Sequence, residues 1–202
     1  MGQITDVVKH LLLINVVMYL ASVALFPESR YILAMYYPSS DFFQPYQLVT
    51  HMFMHADLGH LFFNMLSLFF LGPWVERRLG AKKFLIFYFA AGFGAAALHL
   101  LVRYYMVSQL GVTSEINIPV LGASGAVYGV LAGFGTLFPN ARLMLLFPPI
   151  PIRAAYLAIG LILFDLFTGM SGTRTGVAHF AHVGGAITGF LMIQYWIRTR
   201  SI

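Results

Sequence analysis

Four side chains have the types and spacing for nucleophilic catalysis: Ser124, His182, His60 and Asn64. A serine hydroxyl is a weak nucleophile until a base removes its proton, and histidine is the usual base. Attack on a carbonyl creates an oxyanion, which needs hydrogen-bond donors fixed around it. Asn64 follows His60 by four residues, so on a helix both project from one face and can supply donors together. The Ser124 backbone N–H adds another. No carboxylate obviously supports His182, so the expected arrangement is a dyad, with Ser124 as nucleophile and His182 as base, rather than a triad. Tyr128 lies one turn beyond Ser124 and is placed to stack on the His182 ring.

These residues need helices that approach closely. Around Ser124 the chain reads Gly122-Ala123-Ser124-Gly125, and Gly125, Gly129 and Gly133 repeat at four-residue spacing. Around His182 it reads Ala181-His182-Val183-Gly184-Gly185, then Gly189. Stripes of small residues let membrane helices come close enough for side chains to bond across them. Packing is therefore the role expected of Gly125, Gly129, Gly185 and Gly189.

Composition places those helices in a bilayer. The chain is 59% hydrophobic and 9% charged, with a mean hydropathy of +0.80. A soluble domain is about a quarter charged. Apolar runs at approximately 7–26, 58–75, 84–102, 121–138, 152–167 and 177–197 are long enough, or nearly so, to span. The fifth is short. Lipid offers no partner to free backbone groups, so all six should be helices. The expected fold is all-α: a polytopic six-helix membrane bundle forming a single domain over residues 1–202. Residues 1–25 are read as the first span rather than as a leader. The proline-punctuated, aromatic stretch 27–50 belongs at the headgroup level, and the prolines of 139–151 forbid a continuous helix there.

Charge sets the orientation. With the N-terminus inside, the inner segments carry Lys9, Arg77, Arg78, Lys82, Lys83, Arg142, Arg153, Arg198 and Arg200, against Arg30, Arg103 and Arg174 outside. Positive residues favour the cytoplasmic side, so both termini are expected there. The second, fourth and sixth spans then all enter from outside. His60 and Asn64 lie in the first turns of the second, and Ser124 and His182 about one turn into the fourth and sixth. Three helices thus bring His, Asn, Ser and His to one depth. The net charge of +5 is scattered between apolar runs, which is no nucleic-acid face. Without cysteine there is no disulfide framework, thiolate site or cysteine nucleophile.

At these residues the chain resembles the rhomboid family of intramembrane serine proteases. The family's Gly-x-Ser-Gly is Gly122-Ala123-Ser124-Gly125 here, its Ala-His-x-x-Gly is Ala181-His182-Val183-Gly184-Gly185, its His-x-x-x-Asn is His60 to Asn64, and its Glu-x-Arg-x-Gly is Glu76-Arg77-Arg78-Leu79-Gly80. All four fall in order on matching spans, and the resemblance covers essentially the whole chain. It implies peptide-bond hydrolysis in single-pass membrane proteins, lipid as the surrounding partner, no nucleic acid, no metal and no cofactor. The expected location is a cell membrane, plasma or inner. One departure stands out: Tyr46-Gln47 occupies the place of a Trp-Arg pair common in the family's first long loop. That bears on the packing of the loop and not on the dyad.

Simpler structural roles compete at several polar residues. His51, His55 and His60 have a spacing that could suggest a metal, but histidines bonding loop backbone are the simpler reading. His179, three residues before His182, competes as base; the motif match and greater depth favour His182. His99 is read as a satisfied buried or interfacial group. Asp165, a carboxylate within the fifth span, is expected to bond a threonine or water in the bundle rather than to do chemistry. Glu76 and Arg78 are expected to pin the inner loop. A transporter would show inverted repeats or broken midplane helices, and neither is visible. A non-catalytic relative would lack the serine or the histidine, and both are present.

Overall fold

The computed structural model describes residues 3–144, 148–172 and 176–202. Six main helices run along it: α1 Asp6–Ala24, α4 Leu58–Leu79, α5 Ala81–Ser108, α6 Ser124–Leu137, α7 Ala154–Met170 and α8 His179–Arg198. Two short helices, α2 Ser29–Ile32 and α3 Gln47–Thr50, lie in the first long loop. α1, α4, α5 and α8 are long and apolar enough to cross a membrane, and α6 and α7 are shorter apolar helices. Large side chains on the outer faces, such as Leu13, Val17, Phe63, Leu163 and Phe167, are exposed. Hydrocarbon solvates such faces and water does not.

α6 is the central helix. It packs on α4, α5, α7 and α8, and the pairings of α5 and α6 with α8 are the most extensive in the molecule. Its small residues explain this. A Cβ at Gly129 would overlap that of Ala91 on α5 and lie 3.1 Å from the Gly185 carbonyl oxygen on α8. A Cβ at Gly189 would lie 2.6 Å from the Gly129 carbonyl oxygen. Backbone therefore meets backbone along the α6–α8 seam, as the small-residue stripes require.

The boundaries differ from expectation at α6. A helix over 121–138 was expected, whereas α6 begins at Ser124 and has 14 residues. Gly122 has φ +136°, a conformation that side-chain-bearing residues rarely adopt, so the chain turns there and the helix starts two residues later. Ser124 is thus the first residue of its helix and not a turn within it. α7 is displaced to 154–170 from the expected 152–167. Between α6 and α7, β1 Arg142–Met144 pairs antiparallel with β2 Pro151–Arg153. The prolines exclude helix as expected, and the flanking strands pair as a small two-stranded sheet. The charged stretch 76–83 is no free loop, because only Gly80, with φ +78°, separates α4 from α5.

Polar contacts hold the ends. Glu76, in the last turn of α4, accepts from the Val7 and Val8 N–H groups at 3.1 and 2.9 Å and from the Thr5 hydroxyl at 2.5 Å. It fills the open donors at the start of α1. On the other side, Gln47 organises the first loop. Its Oε1 accepts from the Tyr36 and Gln44 N–H groups, and its Nε2 donates to the Ile32 and Phe42 carbonyls. Met35 and Val120 exchange backbone bonds of 2.8 and 2.9 Å, tying this loop to the segment that enters α6. Buried Arg103 donates to the Ile118 carbonyl in the same segment.

Candidate active site

Ser124 opens α6, and His182 sits one turn into α8. The close α6–α8 seam brings them together: His182 Nε2 is 2.9 Å from Ser124 Oγ. The Tyr128 ring lies over the imidazole with centroids 4.2 Å apart and planes 13° apart. It fixes the ring plane while leaving both nitrogens free to bond along their edges. Gly125 leaves no room for a side chain beside Ala95 of α5, and a Cβ at Gly185 would overlap the Gly125 carbonyl. A side chain at Gly185 would push α8, and His182 with it, away from α6, and one at Gly125 would push α6 away from α5.

The far side of His182 departs from the sequence expectation. No carboxylate was expected to support it, and Asp165 was expected to bond a threonine or water. Instead Asp165 Oδ1, from α7, lies 3.1 Å from His182 Nδ1 and 2.5 Å from His179 Nδ1. All three residues are buried. His179 therefore faces Asp165, while His182 reaches the serine. The signal for this contact lay in the sequence: a lone carboxylate in an apolar span is costly and needs donors, and His179 and His182, three apart, share a helix face. What the sequence lacked was the rotation of α7 that points Asp165 at them.

His60 stands over the entrance to α6. Its ring abuts Gly122 so closely that a Cβ there would lie 2.8 Å from both Cε1 and Nε2, and 3.5 Å from Ser124 Oγ. Gly122 is therefore needed twice, for its φ and for this contact. Asp57 caps α4 by accepting from the His60 N–H at 2.8 Å. Asn64, a turn further on, is buried, and its Nδ2 has no acceptor among the described residues. The first N–H groups of α6 lack partners within their own helix. The His60 ring thus stands beside the start of α6, and Asn64 follows one turn along α4; imidazole, amide and helix-start N–H groups are donors of the kind a developing oxyanion needs.

The other histidines fall outside this chemistry. His51 Nδ1 bonds the Gln47 carbonyl at 2.7 Å, and its own carbonyl accepts from the Gly122 N–H at 2.9 Å. It positions the turn before Ser124. His55 packs edge-on against His60, centroids 5.1 Å apart, and neither ring nitrogen has a hydrogen-bond partner among the described residues. Burial, and next the neighbouring His60, pushes its pKa down to about 3. Burial also lowers that of His51, opposed by the Gln47 bond. Among the described residues, the one group whose ligand atoms converge as metal donors is Asp165, His179 and His182, all within 4.8 Å of one another. Hydrogen bonds from both Nδ1 atoms to a single carboxylate oxygen account for that clustering.

Comparison with known proteins gives one family. Residues 43–199 match the Rhomboid domain model. The chain is 35% identical to rhomboid protease AarA of Providencia stuartii over 151 residues, which is 70% of this chain and 52% of that protein. It is 35% identical to RHOMBOID-like protein 12, mitochondrial, of Arabidopsis thaliana, over 76% of this chain and 46% of that protein. Against putative rhomboid protease YdcA of Bacillus subtilis the identity is 29%, over 73% and 65% respectively. The chain spans about half the length of the first two of these relatives.

Proposed function

The chain belongs to the rhomboid family, and from that membership together with the site geometry we propose that it is an intramembrane serine endopeptidase. Residues 1–202 act as one transmembrane domain. The observation that carries the reading is the 2.9 Å contact between Ser124 Oγ and His182 Nε2 inside a largely apolar bundle. His182 Nε2 takes the serine proton as Oγ attacks the scissile carbonyl. The tetrahedral oxyanion is held by Asn64, His60 and the Ser124 N–H. The imidazolium then returns its proton to the leaving amine, and an acyl-enzyme remains. Water, activated by the same histidine, hydrolyses the ester and restores the serine.

The substrates are single-pass membrane proteins, met within the lipid of a plasma or inner membrane. Both termini of the enzyme are cytoplasmic, on the strength of the Lys and Arg distribution. The site then lies towards the outer surface, where water can enter. A regular membrane helix shields its peptide bonds, so cleavage falls near the outer end of the substrate, where Gly or Pro weakens the helix.

A fluorophosphonate applied to the detergent-purified protein tests the chemistry. One adduct at Ser124 by intact mass and peptide mapping is expected, with none in Ser124→Ala or His182→Ala. Both variants should stay folded and lose cleavage of a single-pass substrate. A substrate with a movable Gly-rich break tests the depth: cuts should follow the break only near the outer end. Cuts at the cytoplasmic end would reject the orientation, and absence of labelling in the folded wild type would reject the protease.

A further inference from the structure

We propose that Asp165 is a positioning residue for His182, completing an Asp165–His182–Ser124 relay in which the carboxylate holds the imidazole in the tautomer that can accept the serine proton. The proposal deepens the protease reading and rests on it. Its starting point is that one neutral imidazole carries one proton. In neutral His182, a proton on Nε2 would leave no lone pair for Ser124, and the ring would be an inert donor. A carboxylate oxygen 3.1 Å from Nδ1 can only accept, so it keeps the proton on Nδ1 and the lone pair on Nε2, facing the hydroxyl at 2.9 Å. Three helices each supply one member: α7 the carboxylate, α8 the imidazole and α6 the serine.

The surroundings favour an ionised Asp165. It is 2% exposed in an apolar helix, where a carboxylate survives only with donors close by. Two imidazole edges face the same oxygen, His179 at 2.5 Å and His182 at 3.1 Å. The shorter bond anchors the carboxylate, and the longer one is left to respond to the charge on His182. When His182 takes the serine proton it becomes a buried cation, and a fixed anion at its Nδ1 edge stabilises that charge without solvent having to reorganise. Nothing covalent is asked of Asp165, and it need not change protonation at any step.

A purely structural role is the rival explanation, since the same contacts tie α7 to α8. Asp165→Asn separates the two. Both imidazoles face one oxygen, so asparagine keeps the shape but loses the anion: with its amide nitrogen in that place it donates to His182 Nδ1 and drives the proton onto Nε2, and with its oxygen there it leaves the imidazolium without a counter-charge. Wild type and Asp165→Asn should be compared by fluorophosphonate labelling at Ser124, by steady-state cleavage, and by ¹⁵N NMR of histidine-labelled protein, with His182→Ala identifying the His182 signals. The expected result is a neutral His182 bearing its proton on Nδ1 in the wild type. Asp165→Asn should then lose on the order of 10²–10⁴ in kcat with KM nearly unchanged, and label correspondingly slowly while melting close to wild type.

A folded Asp165→Asn that keeps wild-type kcat and labelling would overturn the proposal, as would an Nε2–H tautomer in the wild type. If Asp165→Asn does not fold, the wild-type tautomer still decides. Failure of the protease reading looks different: the wild type itself neither labels nor cleaves.

Discussion

The α6–α8 seam can be tested at Gly185. A Cβ there would overlap the Gly125 carbonyl oxygen and stand 2.7 Å from its carbon, where ordinary contact begins near 3.4 Å. Both colliding atoms are backbone, so no side chain can swing aside. The helices must part by about 0.7 Å to relieve the carbon alone, and by more to clear the oxygen. His182 lies one turn from Gly185, and Ser124 is adjacent to Gly125. The same parting takes the 2.9 Å Ser124–His182 contact to about 3.6 Å, beyond a useful hydrogen bond. Gly185→Ala should therefore cost about 1–3 kcal/mol of stability through overpacking, and on the order of 10² in kcat through misplacement of the base. Gly160→Ala is the control. A Cβ there meets nothing within 4 Å, and the better helix former should hold or raise stability with turnover intact. The assays are thermal melting in detergent and steady-state cleavage of a single-pass substrate. A Gly185→Ala protein that melts and turns over like wild type would refute the claim that backbone contact sets the distance between nucleophile and base.

Three further outcomes are expected. His60→Ala and Asn64→Ala should each slow cleavage, by up to about 10²–10³ if each supplies an independent oxyanion donor; a double variant with wild-type turnover would remove both from the site. Gln47→Ala leaves the Tyr36 and Gln44 N–H groups and the Ile32 and Phe42 carbonyls short of their partner. It should cost about 1–3 kcal/mol and open the first loop to limited proteolysis, and a protease-resistant variant would contradict the organising role given to Gln47. Stability should also fall with acidification. The folded pKa of His55 lies near 3 against 6.5 for an ordinary histidine, so below about pH 6.5 only the unfolded state takes the proton, and the loss grows until pH nears 3. His51 is lowered in the same direction. Melting temperatures of wild type and His55→Gln between pH 7 and 4 measure this, and equal slopes would exclude His55 as a source.

The helices were legible because each is a long, largely apolar run, and the Ser124–His182 pair because small residues flank both at helical spacing. Helix starts were less legible. The α6 boundary depends on the φ of Gly122, which the glycine permits but does not announce. The pairing of β1 with β2 was hidden by prolines, which exclude helix without naming what replaces it. Asp165 was visible as an anomaly and its partner was not. Contacts between helices separated by loops depend on the rotation of each helix, and α7 is apolar on most of its surface, so no stripe shows which way it turns. Gln47 attracted notice only as a departure from a motif, although it supplies four bonds that hold the first loop.

The Glu76 contact also bears on how the bundle is assembled. Beyond its first turns α1 is largely apolar, and only Val8, Leu11, Asn15 and Ser22 are buried, so hydrophobicity does little to specify which face should turn inward or how deep it should sit. The acceptor for its first N–H groups lies 68 and 69 residues later, at the far end of α4. α1 therefore enters the bilayer without an address, and receives one only when the second span has crossed and brought Glu76 back to the side on which α1 began. Removing that carboxylate should leave α1 inserted but unlocated, free to slide and rotate. Crosslinks between cysteines placed on α1 and α4 should then form in several registers instead of one.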